Sequence, residues 1–133
     1  MPMNGRRCGS NASSIDTDKA DIPMNFDYTE TQGQIRAAVK ELCKGFGPEY
    51  WRQCAQDGAY PEAFVDAMAK AGWLAALIPE EYGGAGLPLL DACLILQEIN
   101  QNGGSAVHCH AQMYTMASIM RHGSEAQKRR TLP

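Results

Sequence analysis

The stretch from Ser105 to His122, SAVHCHAQMYTMASIMRH, gathers all three histidines of the chain, one cysteine, one tyrosine and three methionines into eighteen residues. His108 and His110 stand two apart. On a helix that spacing turns their imidazoles about 160° away from each other, whereas two ligands on one face need a spacing of four. No CxxC or HExxH supports them, so the pattern gives no zinc site, and a satisfied or partly exposed histidine is the expectation for each. The cysteines (Cys8, Cys43, Cys54, Cys93 and Cys109) are odd in number and scattered. Nothing couples one thiol to a base and an orienting partner, so they read as reduced thiols rather than as a nucleophile or a disulfide frame. GGAG at 83–86 lacks the lysine and hydroxyl of a phosphate-binding P-loop and reads as turn chemistry. QKRR at 127–130 reads as a solvated helix end.

At about 100° per residue the 105–122 helix has two distinct faces. Cys109, Met113, Met116 and Met120 form one, and core is the better reading for it. Val107, Ala111, Tyr114 and Ser118, with His110 at the edge, form the other. Its small side chains fit a core, the approach of another helix, or an apolar ligand lying along it.

The elements around this helix are also helical. Thr29 to Gln32 is a capping box that starts a helix with Ile35, Val39, Leu42 and Phe46 on one stripe, interrupted by Gly45 and Gly47. Pro48 opens a shorter helix carrying Tyr50 and Trp51. Pro61 starts a third, with Phe64, Met68 and Ala71 on one face and Gly72 as a left-handed cap. Trp73 to Ile78 is too short for an independent helix; it crosses the core extended or as an irregular turn, and its length leaves a strand open. Pro79 to Pro88 is a loop. A helix with Leu89, Cys93, Leu96 and Asn100 at helical spacing ends at Gly103-Gly104. Ser124 to Gln127 is a second capping box, opening a last helix with Lys128, Arg129 and Arg130 near its C-terminal end. The expected fold is all-α, a bundle of five or six helices joined by short Gly and Pro loops.

The 133 residues suit one globular domain, and twelve Lys and Arg against fifteen Asp and Glu give a net charge of -3. That balance supplies no field for nucleic acid or an anionic membrane. Residues 1–24 carry no secretory apolar run, and Asp16, Asp18 and Asp21 argue against a transit peptide, so they read as a mobile leader before a domain at 25–133. A cytoplasmic location follows from the same features.

The segment from Phe26 to Pro133 resembles the N-terminal helical domain of the acyl-CoA dehydrogenase family. The resemblance is carried by YPEAFVDAMAKAGWLAALIPEEYGGAGLP (Tyr60 to Pro88), LQEIN (Leu96 to Asn100) and HAQMYTMASIMRHGSEAQKRRTLP (His110 to Pro133). It implies an FAD-dependent enzyme that oxidises the Cα–Cβ bond of an acyl-CoA thioester. In such enzymes a glutamate takes the α proton, flavin N5 takes the β hydrogen as hydride, and electrons pass to an electron-transfer flavoprotein. It also implies that the base and most FAD contacts lie in later domains. No residue here is therefore assigned a catalytic or FAD-binding role, and the chain is read as a fragment or truncated reading frame, inactive alone and homo-oligomeric when complete. The resemblance places Val107, His110, Ala111 and Tyr114 along the acyl tunnel. Alternatives are a same-fold acyl-CoA oxidase or flavin monooxygenase, or a free-standing helical interaction module.

Overall fold

A computed structural model describes residues 26–133, so the leader expected at 1–24 lies outside the described residues. Six helices follow in order: α1 (Glu30–Cys43), α2 (Pro48–Asp57), α3 (Glu62–Lys70), α4 (Leu89–Gln101), α5 (Val107–His122) and α6 (Glu125–Thr131). No strand occurs among the described residues.

Both capping boxes form. Thr29 Oγ1 accepts from Gln32 N–H while Gln32 Oε1 accepts from Thr29 N–H, and Ser124 and Gln127 repeat the arrangement at α6. Each pair satisfies two helix-start donors that would otherwise lack partners. α1 buries Ile35, Val39 and Cys43 against α4, while Leu42 and Phe46 of the expected stripe are only half-buried at its rim. α2 is held by rings. Phe46, Tyr50, Trp51 and Phe64 meet edge to face with centroids 4.9–5.3 Å apart, Trp51 Nε1 donates to the Phe46 carbonyl and Phe64 N–H donates to Tyr50 Oη.

One local expectation needs correction, and choices left open by the sequence are decided. Ala71 is exposed, because α3 ends at Lys70 and the chain turns at Gly72, whose φ of +81° is the left-handed cap expected there. For the Trp73 to Ile78 run the turn reading holds, and neither strand nor extended chain forms. Its first residues, Trp73–Ala75, close a 3₁₀ turn with Leu74 and Ala75 buried, and a second such turn covers Glu80–Tyr82. In α4 the buried residues are Ala92, Leu94, Ile95 and Ile99, together with Asp91 and Glu98, while of the four at helical spacing Leu96 is half-buried and Leu89, Cys93 and Asn100 are exposed. Those two carboxylates are tolerable inside because α1 supplies their donors: Gln32 Nε2 to Asp91 at 3.0 Å and Arg36 Nε to Glu98 at 2.8 Å.

The glycine loop is a backbone clasp. The amides of Gly84, Ala85, Gly86 and Leu87 donate to carbonyls of Pro79, Ala75, Ile78 and Ala76, which leaves none of these four N–H groups for a phosphate. Gly84 passes so close to Ile78 that a Cβ there would lie 2.0 Å from the Ile78 carbonyl oxygen. A main core holds α1, α3, α4 and the inner side of α5. A smaller one joins Ala75, Ile78, Tyr82 and Leu132, and Met116 packs against both.

Candidate functional site

α5 is the element with two characters. Its inner side buries Cys109 and Met113 fully, with Met116 and Met120 half-buried, as expected of the methionine face. The opposite side stays open: Val107 is 68% exposed and Tyr114 56%, His110 is exposed and Ala111 half-buried. The four residues assigned to the acyl tunnel thus lie together on one accessible face, and the reading in which both faces of α5 are core does not hold.

Side-chain geometry keeps that face in order. The His110 and Tyr114 rings sit one turn apart with centroids 5.5 Å apart, tilted at 60°. The hydroxyls of Thr115 and Ser118 donate to the carbonyls of Ala111 and Tyr114 at 2.8 Å, so their polarity is turned back into the helix. What remains outward is a strip of Val, Ala and one phenol, with an imidazole at the edge. Such a surface can hold an apolar chain by contact and offers no nucleophile or paired carboxylate for bond chemistry. The buried face is chemically inert as well. Burial, reinforced by Cys43 nearby, pushes the Cys109 thiol up to about 11, and burial followed by the Glu98 charge raises Cys43.

His108, two residues from His110, points elsewhere. Its ring meets Tyr60 edge to face at 4.6 Å and borders a groove of about 620 Å³ between α2 and the start of α5, walled by Trp51, Cys54 and Gly104. Sequence periodicity did not find this groove, because the turns at 58–61 and 103–105 are what bring the Trp51 and Cys54 side of α2 up to the start of α5. Its lining carries no Lys or Arg for a diphosphate. A groove of about 240 Å³ at Tyr82, Lys128 and Arg129 has the cations but falls below the roughly 300–1,000 Å³ of ligand pockets. The one at α5–α6, about 370 Å³, has no Phe, Tyr or Trp. The described residues therefore do not fit FAD as a complete site.

The sequence matches the acyl-CoA dehydrogenase N-terminal domain over residues 29–133. The chain belongs to this family. It is 35% identical over 109 residues to the probable acyl-CoA dehydrogenase YdiO of Escherichia coli, and 30% identical over 110 residues to the probable acyl-CoA dehydrogenase FadE25 of Mycobacterium tuberculosis. Each match covers 81% of this chain and 28% of the relative, so the chain spans little more than a quarter of their length. Among solved structures, a chain of the ChsE4-ChsE5 complex from M. tuberculosis is similar with a TM-score of 0.69 and 28% identity, over 83% of this chain and 28% of that one. A chain from the electron transferring flavoprotein structure of Acidaminococcus fermentans is similar with a TM-score of 0.68 and 25% identity, over 82% and 29%. For a chain of this family, the open α5 face is the feature that invites a functional assignment.

Proposed function

We propose that this acyl-CoA dehydrogenase domain forms one wall of the acyl-binding tunnel in an FAD-dependent α,β-dehydrogenation of an acyl-CoA thioester. The observation that carries the reading is the division of α5: Cys109 and Met113 are buried while Val107, His110, Ala111 and Tyr114 remain accessible on the other side. Apolar contact along Val107 and Ala111 removes an acyl chain from water, at roughly 25 cal/mol per Å². Tyr114 and His110 narrow that path and set a polar end to it, which favours shorter or branched acyl groups. In this reading the flavin contacts and the catalytic base come from outside residues 26–133, and no proton or hydride step is assigned to these residues. A cytoplasmic enzyme, assembled as a homo-oligomer and passing electrons to an electron-transfer flavoprotein, completes the reading.

The test is a chimera in which residues 26–133 replace the matching segment of YdiO, assayed over acyl-CoA thioesters of increasing length. Tyr114→Ala is expected to move the preference toward longer chains, through kcat/KM rather than through flavin content. An unchanged length profile would discard the tunnel assignment.

A further inference from the structure

The run Lys128, Arg129, Arg130 is divided by helix geometry, since consecutive side chains leave α6 about 100° apart. Lys128 pairs with Glu125 at 3.1 Å, and Arg129 lies over the Tyr82 ring at 5.9 Å. Arg130 turns to the other side of α6, into the groove of about 370 Å³ that it lines with Ser118, His122, Gln127 and Thr131. Among the described residues, no carboxylate lines that groove. Glu125, the acid of α6, is engaged on the far side by Tyr82 and Lys128.

The donors facing the groove are uncommitted. Gln127 uses Oε1 to accept from Ser124 N–H, which leaves its amide NH₂ outward. The Arg130 guanidinium, the His122 ring and the Thr131 hydroxyl have no hydrogen bond or ion pair among the described residues. A forked guanidinium, an amide, an imidazole and a hydroxyl line one open concavity beside Ile119 and Gly123, and together they make a donor set suited to a tetrahedral oxyanion. We propose that the α5–α6 groove is a binding site for a phosphate group, free or carried as a monoester, held by Arg130 and flanked by His122, Gln127 and Thr131. It is separate from the acyl face: Val107, His110, Ala111 and Tyr114 are not part of its lining.

A bland role for Arg130 also exists, because a cation near a helix C-terminus complements the helix dipole without binding anything. Titration separates the two. The chain is titrated with inorganic phosphate at pH 7 and constant ionic strength, set with sodium chloride, while NMR follows the Arg130 Nε–H and the His122 ring. Saturable shifts at both residues are expected. Arg130→Ala should weaken binding about tenfold or more, the loss of one charge-assisted contact, and Arg130→Lys should restore part of it. Lys70→Ala, which removes a remote surface charge, should leave binding unchanged, and thermal melts show whether each variant is folded. A parallel titration with adenosine monophosphate identifies the source. Tighter binding than inorganic phosphate means a phosphorylated small molecule, and equal binding means free phosphate. Shifts that do not saturate, or that survive Arg130→Ala in a folded variant, overturn the proposal.

Discussion

Arg36 Nε donates to Glu98 Oε2 across 2.8 Å and ties α1 to α4 where Glu98 is only 4% exposed. Asn102 Nδ2 donates to the other Glu98 oxygen at 3.0 Å, and the Arg36 guanidinium lies 4.3 Å above the Tyr28 ring. The carboxylate therefore enters the α1–α4 interface with both oxygens satisfied. Losing one partner costs more than the pair contributes, since it leaves a desolvated charge behind. Arg36→Ala should destabilise by about 2 kcal/mol, below the 3–5 kcal/mol of fully buried pairs because the Arg36 side chain is 29% exposed. In Arg36→Ala/Glu98→Ala the loss should be smaller than the sum of the single losses by about 1 kcal/mol, read from urea titrations. Simple additivity would show that the two side chains do not cooperate.

Two glycines should respond in opposite directions. At Gly84 a Cβ would meet the Ile78 carbonyl oxygen at 2.0 Å and its carbon at 2.5 Å, and backbone held by the loop clasp cannot move away cheaply. Gly84→Ala should cost about 3 kcal/mol. Gly33 lies inside α1 with nothing within 4 Å of a Cβ. Gly33→Ala should stabilise by about 0.5–1 kcal/mol, through helix propensity and a less flexible unfolded chain. Thermal melts of the two variants check both signs.

The helices were legible because their signals are local. Thr29 with Gln32 and Ser124 with Gln127 carry their own start instructions, and Gly72 its own stop. The two faces of α5 followed from spacing within one helix. The buried side of α4 was not legible, because LLDACLILQEIN is apolar nearly all round and spacing alone cannot choose it. The choice is made by Gln32 and Arg36, about sixty residues earlier, which draw Asp91 and Glu98 inward. The α5–α6 groove was hidden for a similar reason. QKRR reads as a solvated charge run until Glu125 and Tyr82 occupy Lys128 and Arg129 and leave Arg130 facing α5.

The thiols should separate by burial. Cys93 is exposed and Cys54 half-buried, while Cys43 and Cys109 are sealed in the core. A disulfide reagent at neutral pH should modify Cys93 quickly and spare Cys43 and Cys109 until denaturant is added. Because the folded state holds the Cys109 proton up to about 11, the unfolded chain loses that proton first as pH rises. Stability from this group is intact below the unfolded thiol pKa of about 8.5 and declines as pH climbs toward 11. Cys109→Ala should flatten that alkaline decline, measured as urea midpoints at pH 8, 9 and 10. An equally steep decline in the variant would assign it to other groups.

Leu89 and Leu90, at 68% and 62% exposure, open α4 with apolar side chains in water, and Val107 and Tyr114 do the same on α5. Adjacent exposed leucines at a helix start do not cap it, since the N-cap position belongs to Pro88 and their side chains carry no hydrogen-bonding group. Such patches favour burial against another surface. The isolated chain should therefore self-associate with rising concentration in sedimentation velocity. Leu89→Glu/Leu90→Glu should shift it toward monomer without weakening α4, because acidic side chains in a first turn suit the helix dipole. Val107→Ser/Tyr114→Ser makes the parallel change on α5, and whichever pair dissolves the association identifies the contacting face. A wild-type chain that stays monomeric at high concentration would mean that neither patch drives association.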